Sequence, residues 1–70
     1  MNKYEVMSTD ELLEQLPANL HIARNENAPE HDRWRVYNSA TSKYITPGYS
    51  TAHALLVGTL TNIDQRFNDG

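Results

Sequence analysis

Apolar positions along the chain follow two different periods, and polar breaks separate the segments that carry them. In "VMSTDELLEQLP" the residues Leu12, Leu13 and Leu16 form a helical stripe, and Pro17, which has no amide hydrogen to donate, stops it. Ser8 and Glu11 stand three apart as the two halves of a capping box, with Met7 and Leu12 placed as a hydrophobic staple. Asp10 and Glu11 suit the positive end of the helix dipole. The spacing predicts a helix over 9–16.

After "PAN" the period changes to two. "LHIAR" places Leu20 and Ile22 on one side and His21 and Ala23 on the other, and "RWRVYN" places Trp34 and Val36 opposite Arg33, Arg35 and Tyr37. The polar run "NENAPEHD" reads as a loop between two strands. "NSATS" then turns the chain into a third strand, "KYIT", which Pro47 and Gly48 end. Ser50 or Thr51 caps a second helix, along which Ala52, Leu56, Leu60, Ile63 and Phe67 recur at spacings of four, four, three and four. Leu55 and Thr59 widen that stripe. Gly58 inside it costs about 1 kcal/mol relative to alanine, which suits a place where a neighbouring strand or helix comes close.

The order is therefore α-β-β-β-α, an α+β fold in which two helices pack on one face of a three-stranded antiparallel sheet and leave the other face in water. Leu20, Ile22, Trp34 and Val36 are expected to point inward. Arg33, Arg35 and Tyr37 are expected outward, joined by Lys43 or Tyr44 according to the register, because a one-residue slip exchanges the faces.

Seventy residues form a single small domain, 1–70, and a chain of this size buries only about 60% of its unfolded surface. A deep catalytic pocket is not expected without a second subunit. With no cysteine there is neither a disulfide nor a thiolate metal site, so packing, including that of a homodimer interface, has to hold the fold together. The lack of cysteine suits a reducing cytoplasm. No apolar run approaches the roughly 20 residues of a membrane span, and the start lacks the order of a secretory signal. A cytoplasmic protein without a membrane role is the expectation.

The formal net charge of -3 argues against a general nucleic-acid binder. Distribution changes that picture. Arg33, Arg35 and Lys43 fall close together, whereas Asp10, Glu11 and Glu14 group near the start. The candidate partner-binding set is Arg33, Arg35, Tyr37 and Lys43. Arginine and tyrosine alternating on an exposed strand form the core of a protein interface, or stack on bases and meet phosphates. A third reading is a solvated strand whose arginines keep the sheet from aggregating.

Other chemistry is thinner. The turn "TPGYSTAHAL" feeds a helix start whose free amides suit an anion, but no lysine or arginine lies between Thr46 and Leu56. His21, His31 and His53 lack metal-ligand spacing. Ser50, His53 and Asp64 are triad residue types, yet Ser50 and His53 share one capped turn and no oxyanion-hole motif adjoins them. Asp10, Glu11 and Glu14 offer a surface to a basic partner or imitate a few phosphates, but helix dipole and solubility are the reading preferred for the acidic first helix. No catalytic, metal or cofactor-binding residue is assigned, and the expectation is a protein that is not an enzyme.

The α-β-β-β-α order, with Gly48, Ser50 and Ala54 around the opening of the last helix, resembles the double-stranded-RNA-binding domain. That family's lysine pair is replaced here by Thr51 and Ala52, so the resemblance carries over no phosphate-binding role. The step Tyr49, Ser50, Thr51 before a helix also resembles small phage and prophage proteins of the α/β sandwich type. This second resemblance implies a small protein-binding regulator or inhibitor of a host protein. The first keeps open the alternative of a nucleic-acid-binding module on the basic strand face.

Overall fold

The computed structural model describes residues 2–69, with side chains described as far as Arg66. A 3-10 turn over Lys3–Val6 leads into helix α1 (Thr9–Gln15) and strand β1 (Leu20–Arg24). A second 3-10 turn, Glu30–Asp32, precedes strand β2 (Trp34–Asn38), strand β3 (Lys43–Tyr44) and helix α2 (Ala52–Asp69). The sheet runs β1-β2-β3, antiparallel throughout, and the expected α+β order holds.

α1 starts where its capping chemistry places it. The Ser8 hydroxyl accepts from the Glu11 amide at 3.2 Å, and the Glu11 carboxylate reaches back to the Ser8 amide. Leu16, expected as the last helical residue, serves as the C-cap, and Leu13 stays partly in water while Leu12 is buried. Because the box satisfies amides that α1 cannot bond internally, Ser8→Ala should lower stability by about 0.5 to 2 kcal/mol. A urea titration of that variant checks it; a midpoint equal to the parent's would show that the first turn contributes nothing.

β1 and β2 pair with Ile22 opposite Val36 and Arg24 opposite Trp34, so both residues of each pair share a sheet face. The third strand is shorter than expected. Tyr37 pairs with Tyr44 and Asn38 with Lys43, but beyond Tyr44 the Thr46 hydroxyl, 3.0 Å away, takes the Val36 amide that a longer strand would use. Pro47 has no amide hydrogen to contribute to a ladder. The chain loops out and returns at Tyr49, whose amide and carbonyl both bond Trp34 at 2.8 and 2.9 Å. Ser42, with φ of 58°, turns the chain between β2 and β3.

α2 carries the core. Thr51 caps it, accepting from the Ala54 amide at 3.1 Å, and its Leu56 and Leu60 bury against Leu12 of α1 and Tyr4. Met7, Leu16, Ile22, Val57 and Ile63 close the cluster, while Val36, Leu55 and Thr59 are buried as well. The Phe67 side chain, part of the expected stripe, lies outside the described residues. Gly58 does permit a close approach, by the ring of Tyr49; a methyl there would stand 2.7 Å from its hydroxyl. Trp34 is only half-buried, with the Arg24 guanidinium 5.8 Å from its ring, and is no part of the central cluster.

Candidate functional site

The register decides which side chains share the open sheet face. Tyr37 and Tyr44 stand opposite each other there, their rings edge to face with centroids 5.4 Å apart. Arg35 lies two residues before Tyr37 on the same side, its guanidinium 6.0 Å from the Tyr44 ring. Lys43 pairs with Asn38 and therefore belongs to the opposite side of the sheet. Of the two candidates from β3, the face takes Tyr44, which is 56% exposed, and the expected set loses Lys43.

Arg33 is not in the strand. It ends the Glu30–Asp32 turn in helical conformation, and its Nε–H donates to the Ala28 carbonyl at 3.2 Å. Its carbonyl still accepts from the Asn25 amide, which extends the β1–β2 ladder by a step and ties down the expected loop. Arg33 and Arg35 thus meet from two different elements, and together with Arg24, Ala23, Asn25 and Tyr44 they line a depression of about 130 Å³.

The charges around it are unequal. Arg35 pairs with Asp32 at 3.0 Å and Arg24 with Glu26 at 3.1 Å. Among the described residues Arg33 has no carboxylate within ion-pair distance. Tyr44 escaped the expected set only because strand register is invisible in a single strand's alternation.

The Ser50, His53 and Asp64 residues do not assemble. A carbonyl oxygen can only accept, so His53 Nε2, 2.9 Å from the Met7 carbonyl, donates its proton there. Asp64 lies eleven residues further along α2, about 16 Å at 1.5 Å per residue. Its carboxylate accepts from the Tyr4 hydroxyl at 2.6 Å and pairs with Lys3 at 3.2 Å. Asn2 bonds Thr61 alongside, so these contacts dock the N-terminal turn onto α2. Among the described residues no group of three or more His, Cys, Asp or Glu stands where it would hold a metal ion. No helix among them is long and apolar enough to cross a membrane.

That docking is sensitive to pH at both extremes. The Tyr4 hydroxyl, and after it Lys3, hold the Asp64 carboxyl below its ordinary value of 3.8, so this contribution is full above that value and is lost as pH falls through the lowered one. The Asp64 carboxylate raises Tyr4, with burial adding to the effect, and raises Lys3. Their contributions are full below the ordinary values of 10.0 and 10.5 and fade as pH rises through the raised ones. Tyr4→Phe keeps the ring but not the hydroxyl. Its urea midpoint should fall below the parent's at neutral pH and converge with it at strongly acid and strongly alkaline pH. A gap that stays constant with pH would show that the hydroxyl is not bonded to Asp64.

Compared with protein-family models, with curated proteins and with solved structures, the chain matches none of them.

Proposed function

We propose that this chain is a small non-enzymatic protein-binding domain, a regulator or inhibitor that receives an acidic segment of its partner on the open sheet face. The carrying observation is the Arg33 guanidinium, held by Ala28 at the depression it lines with Arg35 and the exposed Tyr44 ring, with no carboxylate of its own among the described residues. Arginine and tyrosine are the residue types that anchor protein interfaces, and both lose little freedom here because Arg35 is already braced by Asp32 and Tyr44 by Tyr37. A partner carboxylate would complete the ion pair that Arg33 lacks.

Nucleic acid fits this surface less well. A phosphate backbone has to be neutralised along its length, and Asp32 and Glu26 set two negative charges on the arginines of the depression. Lys43, which would have extended the basic track, is on the other side.

Arg33→Ala combined with Arg35→Ala should cost at least about 1 kcal/mol of partner affinity. The fold should survive, since exposed ion pairs contribute only about 0 to 1 kcal/mol. Capture of the partner from a lysate, before and after nuclease treatment, provides the ligand for that measurement. Lys43→Ala and the pair Asp10→Ala with Glu14→Ala serve as controls and should bind as the parent does. Loss of capture after nuclease, or loss of affinity in the acidic-helix variant alone, would overturn the assignment.

A further inference from the structure

The backbone of β1 is half used. Ser39 donates to Asn19 and Asn25 donates to Arg33, both at 2.9 Å, so with the Leu20–Asn38 register the odd-numbered residues of β1 exchange hydrogen bonds with β2. The even-numbered ones, Leu20, Ile22 and Arg24, aim their amides and carbonyls away from the sheet. Val36 confirms the alternation from the other side: opposite Ile22, it spends its own amide and carbonyl on Thr46 and Ile45. The Leu20 amide is taken by the Pro17 carbonyl at 3.0 Å. The Leu20 carbonyl, both Ile22 groups and both Arg24 groups have no partner among the described residues.

Soluble proteins blunt such an edge with lysine, proline or a bulge. Leu20–Arg24 has none of these. Beside it, on the helix side, Leu13, Leu16, Pro17, Leu20 and Ile22 line an open groove of about 410 Å³, and Leu13 is 38% exposed over it. A strand laid along β1 would place every second side chain in that groove.

We propose that the occupant is β1 of a second copy, joined antiparallel about a two-fold axis at Ile22, so that two three-stranded sheets become one. The free groups allow this register, which brings the two apolar Ile22 residues together at the axis. The two Ile22 residues exchange a pair of bonds, and the Arg24 amide of each copy meets the Leu20 carbonyl of the other, while the Leu20 amide stays on Pro17 and the Arg24 carbonyl facing it is left to water. Charge agrees with it. Arg24 of the second copy arrives at the carbonyl end of α1, a helix whose charged residues, Asp10, Glu11 and Glu14, are all acidic.

The apolar content agrees as well. Leu20, Ile22 and Leu13 of both copies close over one groove, an isologous contact in which each copy buries what the other exposes. An axis perpendicular to the sheet keeps both helix layers on one side. On the other side it sets the two Arg35–Tyr37–Tyr44 faces into a single surface. The inference does not depend on the partner reading, because it rests on the edge and not on that face.

Sedimentation equilibrium over a range of concentrations tests it, with far-UV circular dichroism as the check on folding. The parent should show a monomer–dimer equilibrium. Arg24→Pro removes an outward amide without touching the β1–β2 ladder, and Leu13→Glu sets a charge over the groove; each should raise the dimer dissociation constant at least tenfold with an unchanged spectrum. Register has its own test. Residues 21 and 23 of opposite copies would face each other as a non-hydrogen-bonded pair with Cα atoms about 4.5 Å apart, within disulfide reach. His21→Cys with Ala23→Cys, in a chain that has no other cysteine, should oxidise to a covalent dimer, whereas Ala23→Cys alone should not. A parent that stays monomeric at every concentration, a dimer indifferent to both Arg24→Pro and Leu13→Glu, or equal cross-linking of the single and double cysteine variants would each overturn the proposal.

Discussion

Gly48→Ala should be among the most damaging single substitutions in this chain, lowering stability by about 3 kcal/mol, the upper end of ordinary overpacking. A methyl group at that position would stand 1.7 Å from Oδ1 of Asp32 and 2.6 Å from its Cα. The carboxylate can swing away at the cost of its bond to Arg35. The Cα cannot, because it belongs to the Glu30–Asp32 turn that positions Arg33 and delivers the chain into β2. No glycine among the described residues has a positive φ, so alanine suits the backbone conformation at Gly48 and the cost is steric. For a domain of this size each kcal/mol lowers the melting temperature by about 4 to 8 °C, so the fall should be about 12 to 24 °C. Adding Asp32→Gly removes the carboxylate from the clash but not the backbone, and should restore only part of it. A Gly48→Ala protein that melts with the parent would mean that the Pro47–Gly48 bend does not lie against the turn.

Gly48 was legible in the sequence only as the end of a strand. What made it indispensable is a contact across sixteen positions, which no local pattern records. The local devices, by contrast, read correctly. The Ser8–Glu11 capping box placed α1 to within one residue, and the alternation of "LHIAR" gave β1 with the bounds observed. The spacing of Leu56, Leu60 and Ile63 gave the buried stripe of α2. Each of these signals is generated by hydrogen bonds or side-chain directions within a few residues of the chain. The docking of Tyr4 and Lys3 on Asp64 spans almost the whole chain and left no periodic trace in "NKYEV", so the 3-10 turn and its buried tyrosine were missed.

The same distinction divides the candidate surface. Arg35 and Tyr37 were placed together correctly because both belong to one strand and a period of two fixes their side. Lys43 and Tyr44 depended on how β3 meets β2, and the register chose Tyr44. Arg33 read as strand because "RWRVY" alternates without a break, yet the backbone turns helically there to close the Glu30–Asp32 turn. It joins Arg35 at the depression through the fold and not through alternation. β1 offered the reverse case. Its sequence disclosed the strand but not that the strand lies at an edge, and the free edge is the property on which the proposed self-pairing rests.

Leu56→Ala should destabilise the domain by about 3 to 5 kcal/mol, and Trp34→Ala by about 1 to 2, although tryptophan is much the larger side chain. Leu56 has no exposed surface and sits among Tyr4, Leu12 and Leu60, where three separate elements converge. Its truncation leaves a cavity that α1, α2 and the N-terminal turn cannot all move to fill. The cost is then the lost transfer energy plus the cavity. Trp34 stands at the end of β2, partly exposed, with the Arg24 guanidinium over its ring as one part of its cover. Its removal opens a notch to water, and its backbone bonds to Tyr49 remain. The sequence places each residue on the apolar side of its own element and does not tell them apart; the position of Trp34 at the strand end does. Chemical denaturation of both variants decides the matter, read as midpoints with the slope held to the parent's. Equal losses would place Trp34 in the central core and displace Arg24 from its ring, and a small loss for Leu56→Ala would mean that α2 does not close the core at all.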